Sequence, residues 1–180
     1  MRYTNVRTEM WTDSEFARLD IPGKLLYAYL LTSPFGNIAG YYKLPLPYLK
    51  DSLCKSEING WDTVTDEEDM SIFKDKIVPQ LLNEDKLWKY DEETGMLLIP
   101  TYLKHNKVIS PPQVAALVKA VEYLPKSKLI VDFLFSVQKY SRKEAIEKMD
   151  KATLVYAREL CKGRNDNKAF IVHGIISEVL

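Results

Sequence analysis

The stretch Lys86-Leu87-Trp88-Lys89-Tyr90-Asp91-Glu92-Glu93-Thr94-Gly95-Met96-Leu97-Leu98-Ile99-Pro100 decides how the first half of this chain is read. Two short apolar runs, Lys86 to Tyr90 and Met96 to Pro100, flank a polar tip that ends in Gly95. Apolar and aromatic side chains suit a pleated, half-buried surface, and Asp, Thr and Gly turn the backbone. The pattern predicts a β-hairpin whose loop is longer than two residues.

Upstream of the hairpin, Met70, Phe73, Ile77 and Leu81 recur at spacings of 3, 4 and 4, which is one helical face. Thr65-Asp66-Glu67-Glu68 has the spacing of a capping box at the start of that helix. Pro79 lies inside the pattern and predicts a kink or split near Asp75–Val78, since proline has no N–H to donate and its ring meets the carbonyl four residues back. Residues 55–64 are polar, contain Asn59-Gly60 and read as a loop. Pro45 to Cys54 reads as a short helix with Leu46, Leu49 and Leu53 on one face, and Gly40–Lys43 as a small strand. The segment from Pro22 to about Thr32 is helical and apolar nearly all round, which predicts a place at the centre of a core. Before it, Asp13 or Ser14 caps a short helix through Leu19.

The order helix, helix, strand, helix, helix, strand, strand predicts a winged helix-turn-helix, in which a three-helix core is closed by the hairpin. Leu26, Tyr29, Leu30, Phe73, Ile77 and Leu87 are expected to be buried together. Downstream the pattern is helical throughout. Ser110 precedes Pro111-Pro112, and Val114, Leu117, Val118, Val121 and Leu124 form one face. Ser127 opens a helix carrying Leu129, Ile130, Phe133, Leu134 and Val137. Ser141-Arg142-Lys143-Glu144 matches a second capping box, with a helix expected to run through Met149 to Cys161 and to end at Gly163. Asp166 caps a last helix holding Phe170, Ile171, Ile175 and Val179. The fold class is therefore mainly α with a small β-hairpin: a winged-helix domain over residues 1–108 and an all-helical region over 109–180.

Composition narrows the function. Of 180 residues, 46% are hydrophobic and 28% charged, which is ordinary globular material. No apolar run reaches the ~18 residues of a membrane span, and Met1-Arg2-Tyr3-Thr4-Asn5 opens no signal peptide. Cys54 and Cys161 then read as reduced thiols of a cytoplasmic protein with no membrane partner. The zero net charge hides a split. Residues 1–105 carry 12 Lys/Arg against 17 Asp/Glu, net −5, and residues 106–180 carry 13 against 8, net +5. An anionic partner is expected at the second half.

Trp11-Thr12-Asp13, Leu25-Leu26-Tyr27-Ala28-Tyr29-Leu30-Leu31-Thr32-Ser33-Pro34 and Asn37-Ile38-Ala39-Gly40-Tyr41-Tyr42, with Lys86–Asp91, Ile99 and Leu103-Lys104-His105-Asn106, carry a family likeness. They resemble the N-terminal domain of phage replisome organisers, a group similar to the DnaD-like replication initiation proteins of low-GC Gram-positive bacteria and their phages. The resemblance covers roughly residues 1–125 and departs at 55–69, where an acid-rich insertion stands. It implies a winged helix, binding of single- or double-stranded DNA, and recruitment of replication proteins such as a helicase or helicase loader.

No catalytic motif accompanies this likeness. There is no Gly-x-x-x-x-Gly-Lys phosphate loop and no His-Glu-x-x-His, and no nucleophile is paired with a base, so a non-enzymatic role without cofactor or metal is expected. His105 and His173 stand alone. The acidic run Asp66–Asp69 reads as carboxylates at a helix N-terminus rather than a Mg²⁺ site, and Trp11, Trp88 and Tyr41 read as core anchors rather than base-stacking platforms. In the third helix Lys74 and Lys76 face five acids, and the wing tip is Asp91-Glu92-Glu93. Both should repel phosphate, which assigns the winged helix to protein contact, including self-association. The predicted nucleic-acid-binding residues are Lys139, Arg142, Lys143, Lys151, Arg158, Lys162 and Arg164, with Arg142, Lys143 and Lys151 expected on one helical face. The competing reading is a solvated face with pairs such as Glu147–Lys151. Two other functions fit the same residues: a winged-helix transcriptional regulator, and an oligomerisation module without direct DNA contact.

Overall fold

A computed structural model describes residues 6–54, 71, 73–83 and 86–180. The chain is mainly helical with one small antiparallel sheet. A 3-10 helix, Thr8–Thr12, leads to α1, Ser14–Ala17, and α2, Ile21–Thr32. Asp13 caps α1, its carboxylate accepting from the Glu15 and Phe16 amides, and Asp20 caps α2 through the Gly23 amide. β1, Tyr41–Lys43, and α3, Leu46–Cys54, follow. The Thr65 capping box and the acidic run Asp66–Asp69 lie outside the described residues.

Pro79 has the predicted effect in a specific form. Phe73–Ile77 is a π-helical turn that passes into α4, Val78–Asn83. The wider turn relieves the clash that a proline ring makes with the carbonyl of the preceding turn. Met96–Leu98 (β3) pairs with both Tyr41–Lys43 and Lys89–Asp91 (β2), giving the strand order β1-β3-β2. The hairpin closes through Gly95, whose amide donates to the Asp91 carbonyl at 2.8 Å and whose φ of +68° suits a residue without Cβ. Asp91, expected at the exposed tip, is the last residue of β2 and only 2% exposed.

Strand alternation divides this sheet between two cores. Tyr42, Leu97 and Ile99 face Phe16, Leu26, Leu30, Phe73, Ile77, Leu81, Leu87 and Trp88. Tyr41, Met96 and Leu98 face the opposite way, against Val114, Leu117, Phe133, Leu134 and Val137. The expected first core forms, with Tyr29 half-buried at its edge. The second core draws on both sides of residue 108, so the 108/109 boundary in the sequence is not a boundary in the packing. The reason lies in β3: Met96, Leu97, Leu98 and Ile99 are four consecutive buried residues, and an alternation with apolar groups on both faces has no solvent side.

The second half contains α5, Tyr102–His105, then α6, Pro111–Glu122, α7, Ile130–Tyr140, α8, Glu144–Glu147, α9, Lys151–Lys162, and α10, Asn167–Val179. Ser110 and Gln113 form a reciprocal capping box on α6. The box predicted at Ser141 does not form: the Ser141 hydroxyl donates to the Val108 carbonyl instead. The single helix expected from Ser141 to Cys161 is two helices. The break falls at Asp150, whose carboxylate accepts from the Thr153 amide and starts α9. In α10 the inner face is Ala169, Val172 and Ile176, and Phe170, expected inside, is 80% exposed. One face of α2 also departs from expectation, with Ile21 82% and Leu25 50% exposed. Cys161 is a buried free thiol.

Candidate nucleic-acid interface

The seven predicted contact residues are spread over two helices and the connections that follow them. Lys139 closes α7, its ammonium 5.3 Å from the Tyr140 ring centroid. Arg142 and Lys143 precede α8 and Lys151 opens α9, so the single helical face expected for these three does not exist. Arg158 and Lys162 follow Lys151 by seven and eleven residues, close to two and three turns, and those three share one face of α9. Arg164 lies in the short connection between α9 and α10.

Ion pairing separates the seven further. Arg142 pairs with Glu144 at 3.1 Å, Lys143 with Glu178 at 3.1 Å and Lys162 with Glu159 at 2.7 Å. Arg164 bridges Asp166 at 2.8 Å and Asp132 at 3.1 Å. Pairing to Glu178 lifts the Lys143 pKa, and desolvation of Arg164 is outweighed by its two carboxylates, so both cations are held charged by internal acids. A phosphate must compete with those carboxylates. Lys139, Lys151 and Arg158 have no carboxylate within 4.0 Å among the described residues, so the Glu147–Lys151 pair that the competing solvated-face reading supposes is not formed.

Lys107, Lys119, Lys126 and Lys148 belong with the unpaired set. Lys119 on α6 and Lys148 at the end of α8 line a shared groove of about 370 Å³ with Glu122 and Asp150, floored by Val118, Val121 and Met149. Both lysines are exposed. Asp150 is occupied as the cap of α9, which holds its carboxyl below the usual range despite desolvation. Lys119 sits on a different helix from Lys148, in the last turn of α6, and no local pattern in the sequence signals their juxtaposition. Lys119, Lys148, Lys151 and half-buried Arg158 are thus cations of this half that no carboxylate holds among the described residues, as are Lys107, Lys126 and Lys139.

The hairpin is bound into the second half rather than free. Lys89 on β2 donates to Asp132 on α7 at 3.1 Å, and Lys168 and Arg164 reach the same carboxylate at 3.1 Å. Burial would raise the Asp132 pKa, but the Lys89 charge and the three donors outweigh it and hold the carboxyl low. Asp91 accepts from Ser127 at 2.6 Å and Thr94 at 2.7 Å, with Lys128 at 3.7 Å. These bonds leave Glu92 and Glu93 as the exposed acids of the hairpin.

Of the aromatic candidates, Trp88 is fully buried with its indole N–H donating to the Leu81 carbonyl, and Tyr41 is 1% exposed. Neither is accessible to a base. Trp11 is 67% exposed, edge-on to Phe16. Among the described residues there is no group of three or more His, Cys, Asp or Glu placed to hold a metal, and no helix long and apolar enough to cross a membrane. No family model, curated protein or solved structure matches this chain.

Proposed function

We propose that this chain is a non-enzymatic DNA-binding protein of replication initiation, of the phage replisome-organiser kind, which recruits other replication proteins. The observation that carries the DNA-binding part is the set of cations without a carboxylate partner among the described residues, exposed Lys119, Lys148 and Lys151 with half-buried Arg158, on the second half, where the chain has its net +5. Phosphate contacts supply most non-specific affinity, and a cation already held by an internal carboxylate contributes less.

The reading of the first half as a winged helix is supported by the strand order β1-β3-β2, with α3 and the π-turn–α4 helix between β1 and the hairpin. Its DNA-facing elements are a poor match to phosphate: Lys74 and Lys76 flank Asp75, and Glu92 and Glu93 stand at the hairpin tip. The exposed apolar Ile21 and Leu25 on α2 favour protein contact, including self-association, for this half. A helicase or helicase loader is the class of partner this role requires, and the cytoplasm is the compartment.

The experiment is a fluorescence titration on labelled single- and double-stranded oligonucleotides of unrelated sequences, at several salt concentrations. This function predicts binding that weakens steeply with salt and varies little with sequence. A strong preference for one duplex sequence would favour an operator-reading regulator, and absence of binding at low salt would favour an interaction module.

A further inference from the structure

A cavity of about 380 Å³ lies between the N-terminal 3-10 helix, α2 and the chain leaving β3. Its floor is apolar: Phe16, Tyr27, Leu31, Leu87 and Ile99. Phe16, Leu87 and Ile99 are buried side chains of the first core, and Tyr27 is held between Phe16 and Trp88 by ring contacts at 5.8 and 5.9 Å. The floor is therefore mostly part of the packed first core, with Leu31 half-buried at its edge. Small-molecule sites have this volume, an apolar lining and a few polar groups at the mouth.

The rim decides the ligand's charge. Arg7, Lys86 and Lys104 stand at the mouth with Glu9, Asp13 and Glu15. Glu15 is engaged by Lys86 at 3.0 Å and by Arg18. Asp13 is occupied as the cap of α1, accepting from two amides at 2.9 and 3.1 Å. Arg7 and Lys104 remain, without a side-chain partner among the described residues, against Glu9 alone. His105 lies beside them. Desolvation and the Lys104 and Arg7 charges lower its pKa, with Asp13 and Glu9 acting in the opposite direction, so the imidazole is chiefly neutral near pH 7 and able to accept or donate a hydrogen bond.

We infer that this cavity is a binding site for a small amphipathic anion, with an apolar aromatic or aliphatic body on the Phe16–Leu31–Ile99 floor and one anionic group at Arg7 and Lys104. The site is separate from the Lys119–Arg158 surface, which is on the other half of the chain, and does not depend on DNA binding.

The test uses two fluorescent probes on the full chain: anilinonaphthalene sulfonate, which has an anionic group, and phenylnaphthylamine, its uncharged counterpart. The expected result is saturable one-to-one binding of both, displaced by decanoate. Leu31→Trp, which fills the cavity, should weaken both probes at least tenfold. Arg7→Glu with Lys104→Glu, both at exposed positions, should weaken the sulfonate at least fivefold and leave the amine within twofold. Ile21→Ser with Leu25→Ser, on the exposed face of α2, should change neither. Absence of saturable binding, failure of decanoate to compete, or loss of binding in the α2 variant would overturn the site. An equal response of the two probes to charge reversal would overturn the anionic specificity. A tenfold gain in affinity on deleting residues 1–5 would assign the cavity to the chain itself rather than to a ligand. Should Leu31→Trp fail to fold, the charge-reversal pair decides alone.

Discussion

The ring of Tyr41 in β1 lies over the ring of Phe133 in α7, centroids 4.9 Å apart and planes 17° from parallel. Both rings are buried, and they join the sheet to the helices of the second half. Phe133→Ala should cost about 3–5 kcal/mol, the range for a large side chain removed from a packed interior. All three tryptophans, Trp11, Trp61 and Trp88, belong to the first half of the sequence. Their fluorescence should nonetheless report a lowered urea midpoint in this variant, coincident with circular dichroism. A fluorescence midpoint that stays in place while the helical signal moves would show that the halves unfold separately.

Asp132 is buried beneath Lys89, Arg164 and Lys168. Asp132→Asn leaves three cations facing a neutral group and should destabilise by about 3 kcal/mol, near the lower end for breaking a buried pair because the cations are partly exposed. The pH dependence has a definite sign. The folded-state pKa of Asp132 is depressed, so its contribution is complete above the unfolded value near ~3.9 and is lost as pH falls through the lower folded value. Wild type should therefore lose stability on acidification below about pH 4 more steeply than the variant, measured as denaturation midpoints from pH 2 to 6.

Much of this architecture was legible in the sequence. The period of Phe73, Ile77 and Leu81, the hairpin around Gly95, the caps at Asp13, Ser110 and Asp166, and the break at Pro79 are local chemistry, which the chain carries in a few adjacent residues. What failed was non-local. Ser141 has the spacing of a cap, but a carbonyl 33 residues away, that of Val108, takes its hydroxyl. Asp91 sits in a turn-forming run, yet Ser127 and Lys128 draw it into the interior. The apolar circumference of α2 predicted full burial, and the fold supplies neighbours for only part of it. The basic residues were legible as a net charge and not as a surface, because which lysines face an acid depends on pairs such as Lys143–Glu178 that span 35 residues.

Two glycines should respond in opposite directions to the same substitution. Gly40 has φ of +62°, and a Cβ there would stand 2.4 Å from the Tyr102 side chain. Gly40→Ala should destabilise by more than ~1 kcal/mol from the backbone conformation alone, with the clash added. Gly174 is in the middle of α10 with nothing within 4 Å of an added Cβ. Gly174→Ala should stabilise by roughly 0.5–1 kcal/mol through helix propensity. Thermal midpoints of the two variants against wild type check both signs.

Lys74 and Lys76, exposed on the π-helical turn, should matter little for nucleic acid. Replacing both with alanine is expected to change oligonucleotide affinity by less than about threefold. A loss beyond tenfold, ~1.4 kcal/mol, would return the DNA contact to the helix that a winged helix ordinarily uses.

The most direct measurement compares two quadruple variants in the salt dependence of oligonucleotide binding. In the first, the unpaired Lys119, Lys148, Lys151 and Arg158 become alanine. In the second, the internally paired Arg142, Lys143, Lys162 and Arg164 do. Each phosphate neutralised contributes about 0.9 to the log–log slope on duplex and ~0.7 on a single strand. The account predicts that the first variant stays folded and flattens the slope by roughly three units, alike across sequences, while the second flattens it by less than about one. A first variant with an unchanged slope, or a second with the larger loss, would contradict the assignment of DNA binding to these residues.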